Sequence, residues 1–151
     1  MPFPIKLTGI TIRILELFFD TTSLRQLENE LSALPTPSVG FAVHQMLYEN
    51  DYHLIPRFED HDLKHLILDY QYTMQDEIIM QAYLIGNGNY SWPCLLFFCL
   101  AIFYPSTWKY LAAAFKQGKK AMPIKQLRLR HCMTQPLSAI RATYGRYSKR
   151  S

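Results

Sequence analysis

The chain has 151 residues, 49% of them hydrophobic and 14% aromatic, with only 19% charged. That balance excludes a disordered tail or a solvated adaptor, and the length fits one domain able to bury roughly two-thirds of the surface its unfolded form exposes. The net charge of +4 hides a split: up to Glu77 there are 12 acids against five bases, giving −7, and from Ile78 onward there are 11 bases and no acid, giving +11.

The opening stretch, MPFPIKLTGITIRILELFFD, is apolar, but Lys6, Arg13 and Glu16 interrupt it and no small-residue cleavage site follows. It reads as a cytoplasmic N-terminus rather than a secretory signal. Ile10, Ile14, Leu17 and Phe18 favour a helix over residues 8–19, although ITIRI also alternates as a strand would. Asp20 to Ser23 cap a second helix with the stripe Leu24, Leu27, Leu31 and Leu34, ended by Pro35 and Pro37. A third runs through Phe41, Met46 and Leu47, and Pro56 separates it from a helix whose N-cap is Asp60. Residues 74–85 form the next, closed by GNGN at 86–89, and Pro93 to Tyr104 another, ended by Pro105.

The stretch Trp92 to Tyr104 is shorter than the roughly 17 to 25 residues of a membrane span, so a buried or half-inserted helix is expected there, more often core than groove. Lys109 to Gln117 and Pro136 to Tyr144 complete the set, with Leu137, Ile140 and Tyr144 on one face of the last. The expected class is all-α: a single domain over residues 1–151 with six to eight helices. Cys94, Cys99 and Cys132 form no CxxC pair and cannot all be bridged within the chain, so they read as free thiols in a reducing compartment, two of them in the core.

Chemistry concentrates in EDHDLKHLILDYQYTMQDE, residues 59–77. Residues four apart on a helix project from one side, so His61 and His65 can hold one metal ion through imidazole nitrogens. Asp62 lies about 100° round from His61, near enough to coordinate or to orient a ligand. Glu77 shares a helix face with Met74, Met80, Gln81 and Leu84, where a buried carboxylate calls for a cation. Residues 67–72 give the chain room to turn, so that Glu77 can return to the histidine pair. Two nitrogens and one or two carboxylates suit zinc, iron or manganese. Taken alone, an i, i+4 histidine pair is more often surface decoration.

Two metal families fail against this pattern. A zincin needs glutamate as general base where Asp62 stands, one methylene short. An HD-type phosphohydrolase needs a further aspartate far downstream, and no acid follows Glu77. The third comparison fits: His61, Asp62, His65 and Glu77 match His-Asp-x-x-His followed by eleven residues and Glu, a pattern that resembles the signature of the ubiquinone (coenzyme Q) biosynthesis protein 4 family. LENELSALPTPSVGFAVHQML at 27–47, YHLIPRFEDHDLKHLIL at 52–68, AAAFKQGKKAMPI at 112–124 and PLSAIRATYG at 136–145 are similar to segments around that family's site, so the resemblance covers about residues 24–146. Asp60 and Asp69 stand where the family commonly has threonine and glycine, as in a divergent prokaryotic member.

The resemblance implies a helical protein peripheral to membranes, with a metal site linked to removal of the ring carboxyl of a polyprenyl-hydroxybenzoate and hydroxylation at that carbon. By that resemblance His61, Asp62, His65 and Glu77 are the ligands of one divalent metal, zinc first, and Asp62 and Glu77 are the catalytic carboxylates. It also implies a polyprenylated lipid as substrate or ligand and other quinone-pathway proteins as partners; a homodimer is compatible with it. The competing reading is a non-catalytic scaffold that presents the isoprenoid lipid to partner enzymes. The acid-free half, with Trp108, Lys116, Lys119 and Lys120 close in sequence, suits docking on an anionic membrane surface; nucleic acid is not expected, because no recognised motif accompanies the bases.

Overall fold

In a computed structural model the chain is described over residues 22–55 and 58–146. Those residues contain eight α-helices and no strand; an isolated antiparallel bridge joins Ser38 to Pro136. The class is all-α, as expected. The helix expected over residues 8–19 lies outside the described residues. Contacts divide the described chain into two compact units, residues 22–66 with 127–140 and residues 67–126 with 141–146.

In the first unit, α1 (Thr22–Ala33) buries Leu24, Leu27 and Leu31 of the stripe read from the sequence, while Leu34 lies just beyond the helix and is half-buried. Helix α2 (Val39–Glu49) packs on it through Val39, Val43 and Leu47. It begins at Ser38, whose Oγ accepts the Phe41 N–H at 3.2 Å and satisfies one of the amides a helix start leaves bare. Backbone bonds clamp this start to a distant segment: Val39 N–H donates to the Gln135 carbonyl at 2.9 Å, Gly40 N–H to that of Met133 at 2.8 Å, and Leu137 N–H to that of Pro37 at 3.0 Å.

Helix α3 (Glu59–Leu68) begins in this unit and ends in the other. It starts one residue before Asp60, which is therefore not its N-cap. The Asp60 carboxylate instead accepts the Leu129 N–H and an Arg128 guanidinium N–H, both at 2.9 Å. Those bonds hold the start of α7 (Leu129–Cys132), a single turn too short to show a sequence period. Burial, with the Asp60 carboxylate nearby, pushes the Cys132 thiol up to about 11, so it stays protonated at neutral pH. Cys94 is also buried and Cys99 is exposed; all three are free, as read from the sequence. Helix α8 (Leu137–Tyr144) buries Ile140.

In the second unit, α4 (Met74–Gly86) buries Ile78, Met80, Ala82, Tyr83 and Leu84. It packs against α5 (Trp92–Cys99) and, most extensively, α6 (Trp108–Lys120). Two glycines allow that approach. A Cβ on Gly118 would lie 2.0 Å from the Tyr83 carbonyl oxygen, and one on Gly86 would lie 2.1 Å from that of Phe115. Asn87, just beyond α4, completes the contact. Its Nδ2 donates to the carbonyls of Gly118 at 2.9 Å and Met122 at 3.0 Å, and its Oδ1 accepts the Ile124 N–H at 2.8 Å. One side-chain amide thus ties the end of α4 to the end of α6 and to the chain that leaves it.

The run expected as one helix from Pro93 to Tyr104 is instead α5 followed by the 3-10 turn Leu100–Phe103. A second 3-10 turn, Pro105–Thr107, leads into α6. Cys94 and Ala101 are buried, but Leu96, Ile102 and Phe103 are 55%, 72% and 76% exposed, so much of the run is surface rather than core. No single helix among the described residues is long and apolar enough to cross a membrane. Cys94–Phe103 and Pro105–Lys120 have the length and composition only as a pair, and they are bent by 105°.

Gly118→Ala should lower stability by about 1–3 kcal/mol, the usual cost of overpacking, because the added methyl meets a backbone oxygen that cannot swing away. Thermal unfolding followed by helical circular dichroism should show a melting point several degrees lower; an unchanged one would mean that α4 and α6 do not pack this closely.

Candidate metal centre

The site is built on α3, α4 and the residues 69–73 between them. Asp69 ends α3 in the left-handed region at φ 57°, which turns the chain sharply. Tyr70 then enters the core at 5% exposure, with the Arg146 guanidinium 4.7 Å from its ring centroid. Thr73 caps α4 by accepting the Asp76 N–H at 3.2 Å, and the Asp76 carboxylate accepts the Gln71 N–H at 2.9 Å. These local bonds fix where α4 starts and so place Glu77 in its first turn.

On α3 the rings of His61 and His65 meet edge to face one turn apart, centroids 4.7 Å from each other and planes at 67°. Phe58 lies edge-on to His61 with centroids 6.1 Å apart. One ligand atom from each of His61, His65 and Glu77 lies within 4.8 Å of the others. In a tetrahedral site with bonds of about 2.0–2.1 Å, ligand atoms sit about 3.3 Å apart. The group is also sheltered: His65 is 1% and Glu77 9% exposed, and His61 is half-buried.

The donor set fits a divalent metal on chemistry as well as distance. Two neutral imidazoles and one carboxylate suit zinc, iron or manganese, and a cation offsets the cost of holding Glu77 away from water. Among the described residues the group has three members, one fewer than a closed four-ligand structural site would use. Asp62, next to His61 and 8% exposed, is not one of the three. Trp108, Lys116, Lys119 and Lys120, singled out for membrane docking, all lie exposed on α6.

The role of Gln81 was not legible in the sequence, although its i+4 spacing from Glu77 put it on the same face. It is 2% exposed, and its Nε2 donates to Glu77 Oε1.

No known family profile matches the chain, and no curated protein does. A crystal structure matches: that of a "Putative ubiquinone biosynthesis protein" from Nostoc punctiforme PCC 73102, 17% identical, with a TM-score of 0.56 over 93% of this chain and 81% of that one. The chain therefore has the fold of that protein.

The purified protein should carry about one divalent metal per chain, and His65→Ala, which removes the most buried ligand, should abolish it. Elemental analysis of both proteins checks this; equal metal content in the variant would remove His65 from the site.

Proposed function

We propose that the chain is a metal-dependent protein of quinone biosynthesis that acts on the ring carboxyl of a polyprenyl-hydroxybenzoate at a membrane surface. The observation that carries this reading is the largely buried group of His61, His65 and Glu77, whose ligand atoms lie within 4.8 Å of one another. Its spacing is the one the ubiquinone biosynthesis protein 4 family shares, and it sits in a fold also found in the Nostoc protein named for ubiquinone biosynthesis.

A divalent metal bound there supplies a Lewis acid for the substrate's carboxylate or phenolate. Glu77 and the two imidazoles would hold that metal in a place largely closed to water, where electrostatic stabilisation is stronger than in solution. As the bond from ring carbon to carboxylate breaks, carbon dioxide leaves and the electron pair stays on the ring. Asp62, beside His61, is the carboxylate that exchanges a proton with the site, as acceptor or as a fourth ligand. In the hydroxylating version of the reaction, dioxygen takes the two electrons and leaves as hydrogen peroxide, and water supplies the new hydroxyl oxygen.

A second reading has one observation in its favour, the exposed apolar run. Trp92, Leu96, Ile102, Phe103 and Trp108 are each more than half exposed, and α6 supplies Lys109, Lys116, Lys119 and Lys120 without an acid. Such a surface would hold either an enzyme or a lipid-presenting scaffold at an anionic bilayer, where each well-placed base contributes about 1 kcal/mol.

Glu77→Gln should eliminate decarboxylation of a polyprenyl-hydroxybenzoate in a reconstituted assay while helical circular dichroism persists. A wild-type protein that binds the lipid but never turns it over would favour the scaffold. The protein should co-sediment with vesicles rich in anionic lipid, less so as salt rises from low to moderate, because screening weakens the attraction. Neutralising Lys116, Lys119 and Lys120 together should reduce that binding; equal binding to neutral vesicles at every salt concentration would contradict the electrostatic part.

A further inference from the structure

Gln81 stands one turn beyond Glu77 on α4, wholly buried. Its Nε2 donates to Glu77 Oε1, while its own Oε1 is buried without a hydrogen-bond partner. The opposite amide orientation would set oxygen against carboxylate oxygen, so the N–H side belongs on Glu77. A glutamine kept only for stability would have both ends paired, since a buried acceptor without a donor is costly. The placement of this side chain therefore follows from the carboxylate it holds.

We propose that Gln81 is the positioning residue of the metal centre. By donating to Oε1 of Glu77 it fixes the rotation of the carboxylate as a ligand beside His61 and His65. Metal ligands held in this way by an outer hydrogen bond lose little freedom on binding, and removing such a partner typically weakens metal affinity about 10–100-fold. Gln81 touches neither the metal nor the substrate in this role. The inference rests on the metal-centre reading and extends it to a residue outside the ligand set.

The test is a titration of the full chain with Zn2+ against a chromogenic chelator, and with Co2+ followed by visible absorption. Gln81→Met keeps the side-chain volume and removes the donor. It should weaken Zn2+ binding at least tenfold and change the Co2+ absorption bands, with helical circular dichroism retained. Gln81→Asn keeps a neutral amide donor one methylene shorter and should recover part of the affinity. A folded Met variant with wild-type affinity and an unchanged Co2+ spectrum overturns the role of Gln81, as does a folded Asn variant that binds Zn2+ more weakly than the Met variant. Wild-type protein that binds neither ion overturns the metal centre itself, a separate result.

Discussion

The contact of α4 with α6 is the constraint on which the second unit depends. Where the two backbones approach at Gly86 and Gly118 there is no room for a side chain, and the Asn87 amide then ties the end of α6 to the end of α4. With its C-terminal end held and its N-terminal end capped by Thr73, α4 has little freedom to slide or rotate. Glu77 and Gln81 inherit that rigidity. A carboxylate on a mobile segment would find water; here it is kept from water, and the cost is met by a donor amide and by a place for a cation.

The histidines are positioned by a different means. They need only one regular helix, because i, i+4 spacing brings the rings together whatever surrounds them. That makes His61 and His65 the local part of the site and Glu77 the part that depends on the turn. Asp69 makes that turn in a left-handed conformation that glycine adopts without strain and aspartate tolerates through its short polar side chain. The position where the resembled family commonly carries glycine is thus one where the backbone itself asks for it. The departure at Asp69 leaves the path of the chain intact, and Glu77 still returns to the histidines.

What could be read from the sequence was what depends on near neighbours. The stripe Leu24, Leu27, Leu31 predicted a helix face and the structure buries it; GNGN predicted an end to α4 and found one. Asp60 was misplaced as a cap because its partners, Arg128 and Leu129, lie 68 and 69 residues away, beyond the reach of any local pattern. The turn α7 has too few residues to carry a period. The run from Trp92 to Tyr104 misled in another way: apolar composition records that water is disfavoured, not that another part of the chain covers the residues. Gln81 needed the atoms themselves, since one orphaned oxygen distinguishes it from an ordinary buried glutamine.

The placing of the two tryptophans has an optical consequence. Trp92 and Trp108 are the chain's whole complement of indoles, and they are 76% and 56% exposed in the segment that carries the bared apolar residues. Trp108 is held at one end, its indole N–H donating to the Ala101 carbonyl at 2.7 Å, while its ring remains open to solvent. The intrinsic ultraviolet emission of the protein therefore comes from this one region and is nearly silent about the core. A blue shift signals that something apolar has covered that surface, and a collisional quencher in the water measures how much of it stays bare. The molecule carries its own reporter on its bared apolar face.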